Sequence, residues 1–207
     1  MSDNQVGTYK LVASPFHLDV RGKLSMGVLG KHLLNCADAY AAERGFDVVE
    51  QGGEHYTWVL SRLAIELEDL PSCHESFSIQ TWVENVYRLF ADRNFAILNK
   101  DDKPIGYVRS VWAMISMETR TPANLLTLHG ELITNSICEK ECPIAKPGRV
   151  KVSQQEAVSE YVAKYSDLDI NGHVNSIKYI EHILDLFPLD TYKEKTLKRF
   201  EIAYVAE

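Results

Sequence analysis

DINGHVNSIKYIEHILD, residues 169–185, carries a short polar run straight into a segment with helical periodicity. Ile177, Ile180, Ile183, Leu184 and Phe187 fall at the spacing of one helix face, Asn175 is of the N-cap type, and Pro188 closes the segment. Just before the helix, Asp169, Asn171 and His173 occupy every second position. In an extended segment alternate side chains share a side, so these three are expected to face one way and Leu168, Ile170 and Val174 to anchor the other face in the core. The helix start beside them offers unpaired N–H groups and the positive end of its dipole. A carboxylate, an amide and an imidazole at such a place suit acyl transfer to water, with donors for a developing oxyanion and groups that take or orient a proton. The purely local alternative is that Asp and Asn bond nearby backbone and Gly172 permits a turn.

The pattern occurs once before. Asp19-Val20-Arg21-Gly22-Lys23-Leu24-Ser25 aligns with Asp169-Ile170-Asn171-Gly172-His173-Val174-Asn175 at an offset of 150 residues. Each copy ends in a cap-type residue and runs into a helix, and each helix is followed by a strand-like segment with an arginine step, Arg62-Leu63 and Arg199-Phe200. Duplication explains this order better than chance. Copy one has Arg21 and Lys23 where copy two has Asn171 and His173, so the scaffold residues recur and the chemically versatile ones do not. One active site in a duplicated fold would look like this.

Outward from the first copy, Leu29, Leu33, Cys36, Ala37, Tyr40 and Ala41 mark a helix opened by Ser25 and stopped by Gly45. Strand patterns follow at 57–70 and in FSIQTWVENV, where Phe77, Ile79, Thr81 and Val83 share a face. RNFAILN and GYVRSVWAMISM flank the turn-forming NKDDKPIG as a hairpin. A helix followed by antiparallel strands predicts an α+β domain with the helix wrapped by the sheet. A Pro- and Gly-containing stretch, 138–152, reads as a linker, SEYVAKYSDLD as a further strand, and KTLKRFEIAYVAE as the last one.

The 207 residues, 45% hydrophobic and 25% charged, fit a soluble globular protein of one large or two small domains. A formal charge of −7 argues against a general nucleic-acid binder. No stretch approaches the ~18 apolar residues of a membrane span, and the first residues lack a signal-peptide pattern. Cys36, Cys73, Cys138 and Cys142 read as free thiols of a reducing compartment, and the Cys138–Cys142 pair lacks the second pair that a metal site needs. His55, His74 and His129 have no paired ligands nearby.

SDLDINGHVNSIKYIEHILD closely resembles the D-x-N-x-H-V-N segment of the acyl-acyl-carrier-protein thioesterases, the plant plastid enzymes and their bacterial relatives. WVLSRLAIELEDLPSCHESFSIQTWVE and SVWAMISMETRTP are similar to that family's first-half strands, and the resemblance runs over about residues 9–207. It implies two tandem hotdog repeats, over residues 1–137 and 153–207, with 138–152 between them and the second sheet unfinished within this sequence. The matching expectation is that roughly forty residues of strand follow Glu207. The resemblance also implies hydrolysis of a fatty acyl-acyl carrier protein thioester, with no cofactor. It puts Asp169, Asn171 and His173 on the catalytic loop and Glu207 at a strand glutamate. Glu207 would then be the general base for water, His173 and Asp169 its partners, and Asn171 a contact to the water or the thioester carbonyl. No cysteine is placed by the sequence to act as a nucleophile with His173. An early start to the similarity leaves no room for a transit peptide and points to a bacterial, cytoplasmic protein. Its expected partner is an acidic acyl carrier protein, met by a basic patch among 146–151, Lys193, Lys195, Lys198 and Arg199. A homodimer is an allowed assembly. The competing readings are an acyl-coenzyme A thioesterase and a non-catalytic acyl-binding protein of the same fold.

Overall fold

The structure, a computed structural model, describes residues 5–148, 159–170 and 172–205. After strand β1 (Gly7–Val12) comes helix α1 (Met26–Glu43), which begins where Ser25 Oγ accepts the Val28 N–H at 3.3 Å. It ends just before Gly45, whose φ of +72° supplies the left-handed turn that a side chain would resist. Strands β2 (Val49–Gln51), β3 (Glu54–Leu67), β4 (Ser76–Val86), β5 (Ala91–Leu98) and β6 (Pro104–Ser116) join β1 in one antiparallel sheet of order β1-β4-β5-β6-β3-β2. The β5–β6 turn is held by Asn99, whose Oδ1 accepts the N–H groups of Asp101 and Lys103, each at 3.0 Å.

Alternation along these strands sends Leu63, Ile65, Phe77, Ile79, Phe95, Ile97 and Val108 into one core with Leu29 and Leu33 of α1. Phe77, Ile79, Thr81 and Val83 share a buried face as expected, yet Trp82 on the opposite face is also fully buried. The reason is the segment 138–148, which lies across the sheet's outer face and packs Cys142 and Ile144 on Trp82, Ala96 and Leu98. Trp82 Nε1 donates to the Lys140 carbonyl at 2.9 Å, and Arg109 donates to the carbonyls of Cys142 and Ile144, both at 2.7 Å. Two short helices, α2 (Leu125–Leu128) and α3 (Glu131–Thr134), precede this segment.

The strand expected around 159–168 is absent among the described residues. Instead Asp167, 2% exposed, gathers the Tyr161 hydroxyl at 2.8 Å and the Lys164 N–H at 2.7 Å, which folds the chain into a 3₁₀ turn at Tyr165–Asp167. Helix α4 (Ser176–Asp185) follows, with Asn175 Oδ1 accepting the Ile177 N–H at 2.9 Å, then α5 (Leu189–Glu194) after Pro188. Ile177 and Ile180 are buried against α1, whereas Ile183 and Phe187, expected on the same face, are exposed. The crossing with α1 covers only the first two turns of α4. Strand β7 (Arg199–Ala203) pairs antiparallel with β3, from Arg62 opposite Ala203 to Glu66 opposite Arg199. Thus the two arginine-step segments lie side by side in one sheet.

Candidate active site

The two seven-residue copies fold alike. In the second, the Asp169 N–H donates to the His173 carbonyl at 2.8 Å, the Gly172 N–H to the Asp169 carbonyl at 3.1 Å, and the His173 N–H to Asp169 Oδ1 at 3.1 Å. In the first, Asp19, Gly22 and Lys23 repeat these bonds at 2.7, 3.0 and 3.3 Å. Gly22 and Gly172 both have positive φ, +73° and +77°, which closes the loop. The polar run is therefore a closed turn and not an extended segment. Reversal of the chain replaces alternation, so Leu168 and Ile170 point outward, Ile170 being 99% exposed, and they do not anchor the loop in the core. Val20, at the same place in the first copy, is likewise exposed.

The expected meeting of Asp169 and His173 nevertheless occurs, because the turn and the N-cap bring both to one cleft of about 330 Å³. Its walls include Leu60, Trp112 and Ile115 of the sheet, with Tyr179 of α4 and Tyr204 after β7. Tyr204 donates its hydroxyl to the Ser176 carbonyl at 2.8 Å, so the end of the last strand fixes the first turn of α4. Burial raises the pKa of that phenol well above its ordinary value, keeping it a donor. On the far side of the loop, His182 Nε2 lies 3.4 Å from Asp167, whose carboxyl is held below the usual range by the Lys164 N–H and the Tyr161 hydroxyl.

Leu34, Thr57, Trp58 and Trp112 line both this cleft and a second pocket of about 260 Å³ between α1 and the sheet. The second pocket is mostly apolar, with Ala41, Phe46, Val83 and Ile133 in its wall. Arg93 also reaches it. This guanidinium is 6% exposed, donates to Thr81 Oγ1 at 3.3 Å and sits 4.6 Å from the centroid of the Tyr40 ring. Burial lowers its pKa to about 10, which leaves it charged near neutral pH.

Asn171 and Glu207 lie outside the described residues. Arg21 and Lys23 stand apart from the cleft, paired with Asp19 at 2.7 Å and Asp69 at 2.8 Å. Of the expected basic patch, Lys146 pairs with Glu84 and Asp92, and Arg199 with Glu66 and Glu201. Those charges are engaged within the fold, Lys193 pairs with Asp190, and residues 149–151 are outside the described ones. Two members of the site carried no signal in the sequence: Arg120, whose Nη2 is 2.7 Å from His173 Nε2, and Arg93. Each is one arginine in a strand or turn pattern, and only the tertiary pairing sets it beside the cleft. Among the described residues no cluster of His, Cys, Asp and Glu could hold a metal ion, and no helix is long and apolar enough to cross a membrane.

A long helix wrapped by a curled antiparallel sheet, with a polar loop at the mouth of an apolar pocket, is the hotdog fold of thioesterases. Residues 9–128 match the acyl-ACP thioesterase N-terminal domain and residues 150–207 the C-terminal domain, ACP being acyl carrier protein. The chain belongs to the acyl-ACP thioesterase family. A crystal structure of an acyl-ACP thioesterase from Bacteroides thetaiotaomicron is 61% identical and superposes with a TM-score of 0.91, over 100% of this chain and 84% of that one. The 12:0-ACP thioesterase of Umbellularia californica, 16% identical, shares the fold with a TM-score of 0.77 over 98% of this chain and 78% of that one. The chloroplastic palmitoyl-acyl carrier protein thioesterase of Gossypium hirsutum is 26% identical over 181 residues, which are 84% of this chain and 44% of that protein. The chain thus spans less than half the length of this curated relative.

Proposed function

We propose that the protein hydrolyses the thioester of a fatty acyl-acyl carrier protein and releases the free fatty acid. One observation carries the reading: the cleft that holds Asp169 and His173 shares four wall residues with an apolar pocket under α1, so an acyl chain can lie in the pocket with its thioester at the loop. In the proposed reaction Glu207 takes a proton from water while the water oxygen bonds to the thioester carbon and the carbonyl electrons move to oxygen. The Ser176 N–H at the start of α4, with Asn171, stabilises that oxyanion, and His173 with Asp169 steadies the carboxylate and the water. When the oxyanion collapses the C–S bond breaks, its electron pair leaves on sulfur, and the carrier thiol regains a proton from the site.

The domain plan proposed is two tandem hotdog repeats, 1–137 and 153–207, with 138–152 between them. It is supported by the loop geometry that recurs at an offset of 150 and by the pairing of β7 with β3. A bacterial cytoplasmic setting is supported by the 61% identity to the Bacteroides protein and by four free cysteines. Thiol release from one acyl group, offered on acyl carrier protein and on coenzyme A, tests the function. Faster turnover on the carrier protein is expected. A preference for coenzyme A would reassign the carrier, and tight acyl binding without turnover would make the protein a binding module.

A further inference from the structure

Arg120 and His173 are 53 residues apart and meet at the cleft mouth, Nη2 to Nε2 at 2.7 Å. Arg120 sits in the turn after β6 with a φ of +56°, a left-handed backbone that arginine adopts at a cost. The turn is tied down on all sides. Arg120 N–H donates to the Ser116 carbonyl at 2.9 Å, Ser116 N–H to the Thr121 carbonyl at 3.0 Å, and the neighbouring Glu118 accepts the His55 N–H at 3.1 Å. The sheet thus holds a guanidinium against the imidazole of the loop.

We infer that Arg120 is a positioning residue for His173, holding it as a neutral imidazole with its proton on Nδ1. The chemistry of the pair dictates this. A guanidinium has donors and no acceptor and stays protonated, so Nε2 can only accept. A protonated His173 would set one N–H against another and one cation against another, so the contact exists only while His173 is neutral. Free imidazole can carry its proton on either nitrogen, and Arg120 removes that freedom. Nδ1–H is left as the donor that the site can use. Among the described residues, the other titratable groups lining this cleft are Asp169 in the same loop and the phenols Tyr179 and Tyr204. A phosphate of the carrier's prosthetic arm is not the partner of Arg120, since that phosphate lies a whole pantetheine away from the thioester that His173 serves.

The kinetic consequence rests on the thioesterase reading, but the tautomer does not. With ¹⁵N-histidine-labelled protein, long-range ¹H–¹⁵N spectra assign the His173 tautomer. The wild type should show Nδ1–H. Arg120→Met should lose that preference and show both tautomers, with signals for Nδ1–H and for Nε2–H. The kcat/KM on acyl-ACP should fall in the same variant, and Arg120→Lys, which keeps a donor and no acceptor at the ring, should restore part of the tautomer preference. Arg120→Gly relieves the left-handed backbone, so it should melt at or above the wild-type temperature and still show the altered His173. An unchanged tautomer in folded Arg120→Met and Arg120→Gly would overturn the inference. A wild type with the Nδ1–H tautomer but no hydrolysis would overturn the proposed function alone.

Discussion

Gly30 of α1 and Ile177 of α4 leave no room for a side chain between them: a Cβ on Gly30 would lie 2.6 Å from Ile177 Cδ1. Ile177 is 1% exposed and follows the Asn175 cap by two residues, so this crossing sets the position of the loop that carries Asp169 and His173. Gly30→Val should cost about 1–3 kcal/mol, the usual range for overpacking, and should lower turnover in the protein that remains folded. At Gly27 the obstructing atom is the carboxylate end of Glu181, which can swing away, and alanine favours a helix. Gly27→Ala should melt close to wild type. Melting curves and acyl-ACP hydrolysis on the pair decide whether the crossing positions the loop.

His173→Ala should lower turnover at least ~100-fold while the protein stays folded, the usual order for losing acid–base participation. Asp169 both shapes the loop, by accepting the His173 N–H, and faces the cleft. Asp169→Asn keeps an acceptor oxygen for the turn and removes the charge, so a large loss there isolates the electrostatic role. Arg21→Ala and Lys23→Ala, away from the cleft, should change turnover little. Near-wild-type turnover in His173→Ala would move the catalytic site elsewhere.

Arg93 places a buried cation in the wall of the apolar pocket. An alkyl terminus gains nothing against a desolvated charge, so Arg93 should act as a stop for the acyl chain. Arg93→Met keeps most of the volume and removes the charge. It should shift the kcat/KM optimum toward longer chains, each added methylene being worth up to about 1–3 kcal/mol in an apolar pocket. A chain-length series on acyl carrier protein reads this directly, and an unmoved optimum in a folded variant rejects it.

Acid should destabilise the protein before any carboxylate titrates. Burial lowers the pKa of both His32 and His129, with His17 adding to the effect at His32. Below about pH 6.5 the unfolded chain binds protons that the folded one refuses. The stability held above that pH is therefore lost as pH falls toward the depressed folded values. His129, 5% exposed, stacks on Trp58 with ring centroids 5.8 Å apart. His129→Phe should preserve the stacking and flatten the fall in melting temperature between pH 7.5 and 5.5. An identical pH slope in wild type and variant would remove His129 from the account.

Much of this was legible along the chain. Ser25 and Asn175 as caps, Gly45 as a stop and the hairpin about Asn99 were readable because caps and turns depend on residues within a few positions. The core faces of β4 and α1 followed from period alone. The acyl-ACP thioesterase resemblance was carried by contiguous runs, and the family matches at 9–128 and 150–207 bear it out.

What the sequence determined by itself was the caps and stops of α1 and α4, the core faces of α1 and β4, and the recurrence of one loop at an offset of 150. These are short-range properties, set by side chains acting on their own backbone. What only the tertiary structure decided was that Asp169 and His173 meet through a closed turn, that segment 138–148 buries the sheet's outer face, and that Arg120 and Arg93 stand at the two ends of the cleft system. Those contacts join residues tens of positions apart. They depend on strand register and on the α1–α4 crossing, where free energy is gathered from the whole core and leaves no periodic mark in any one segment.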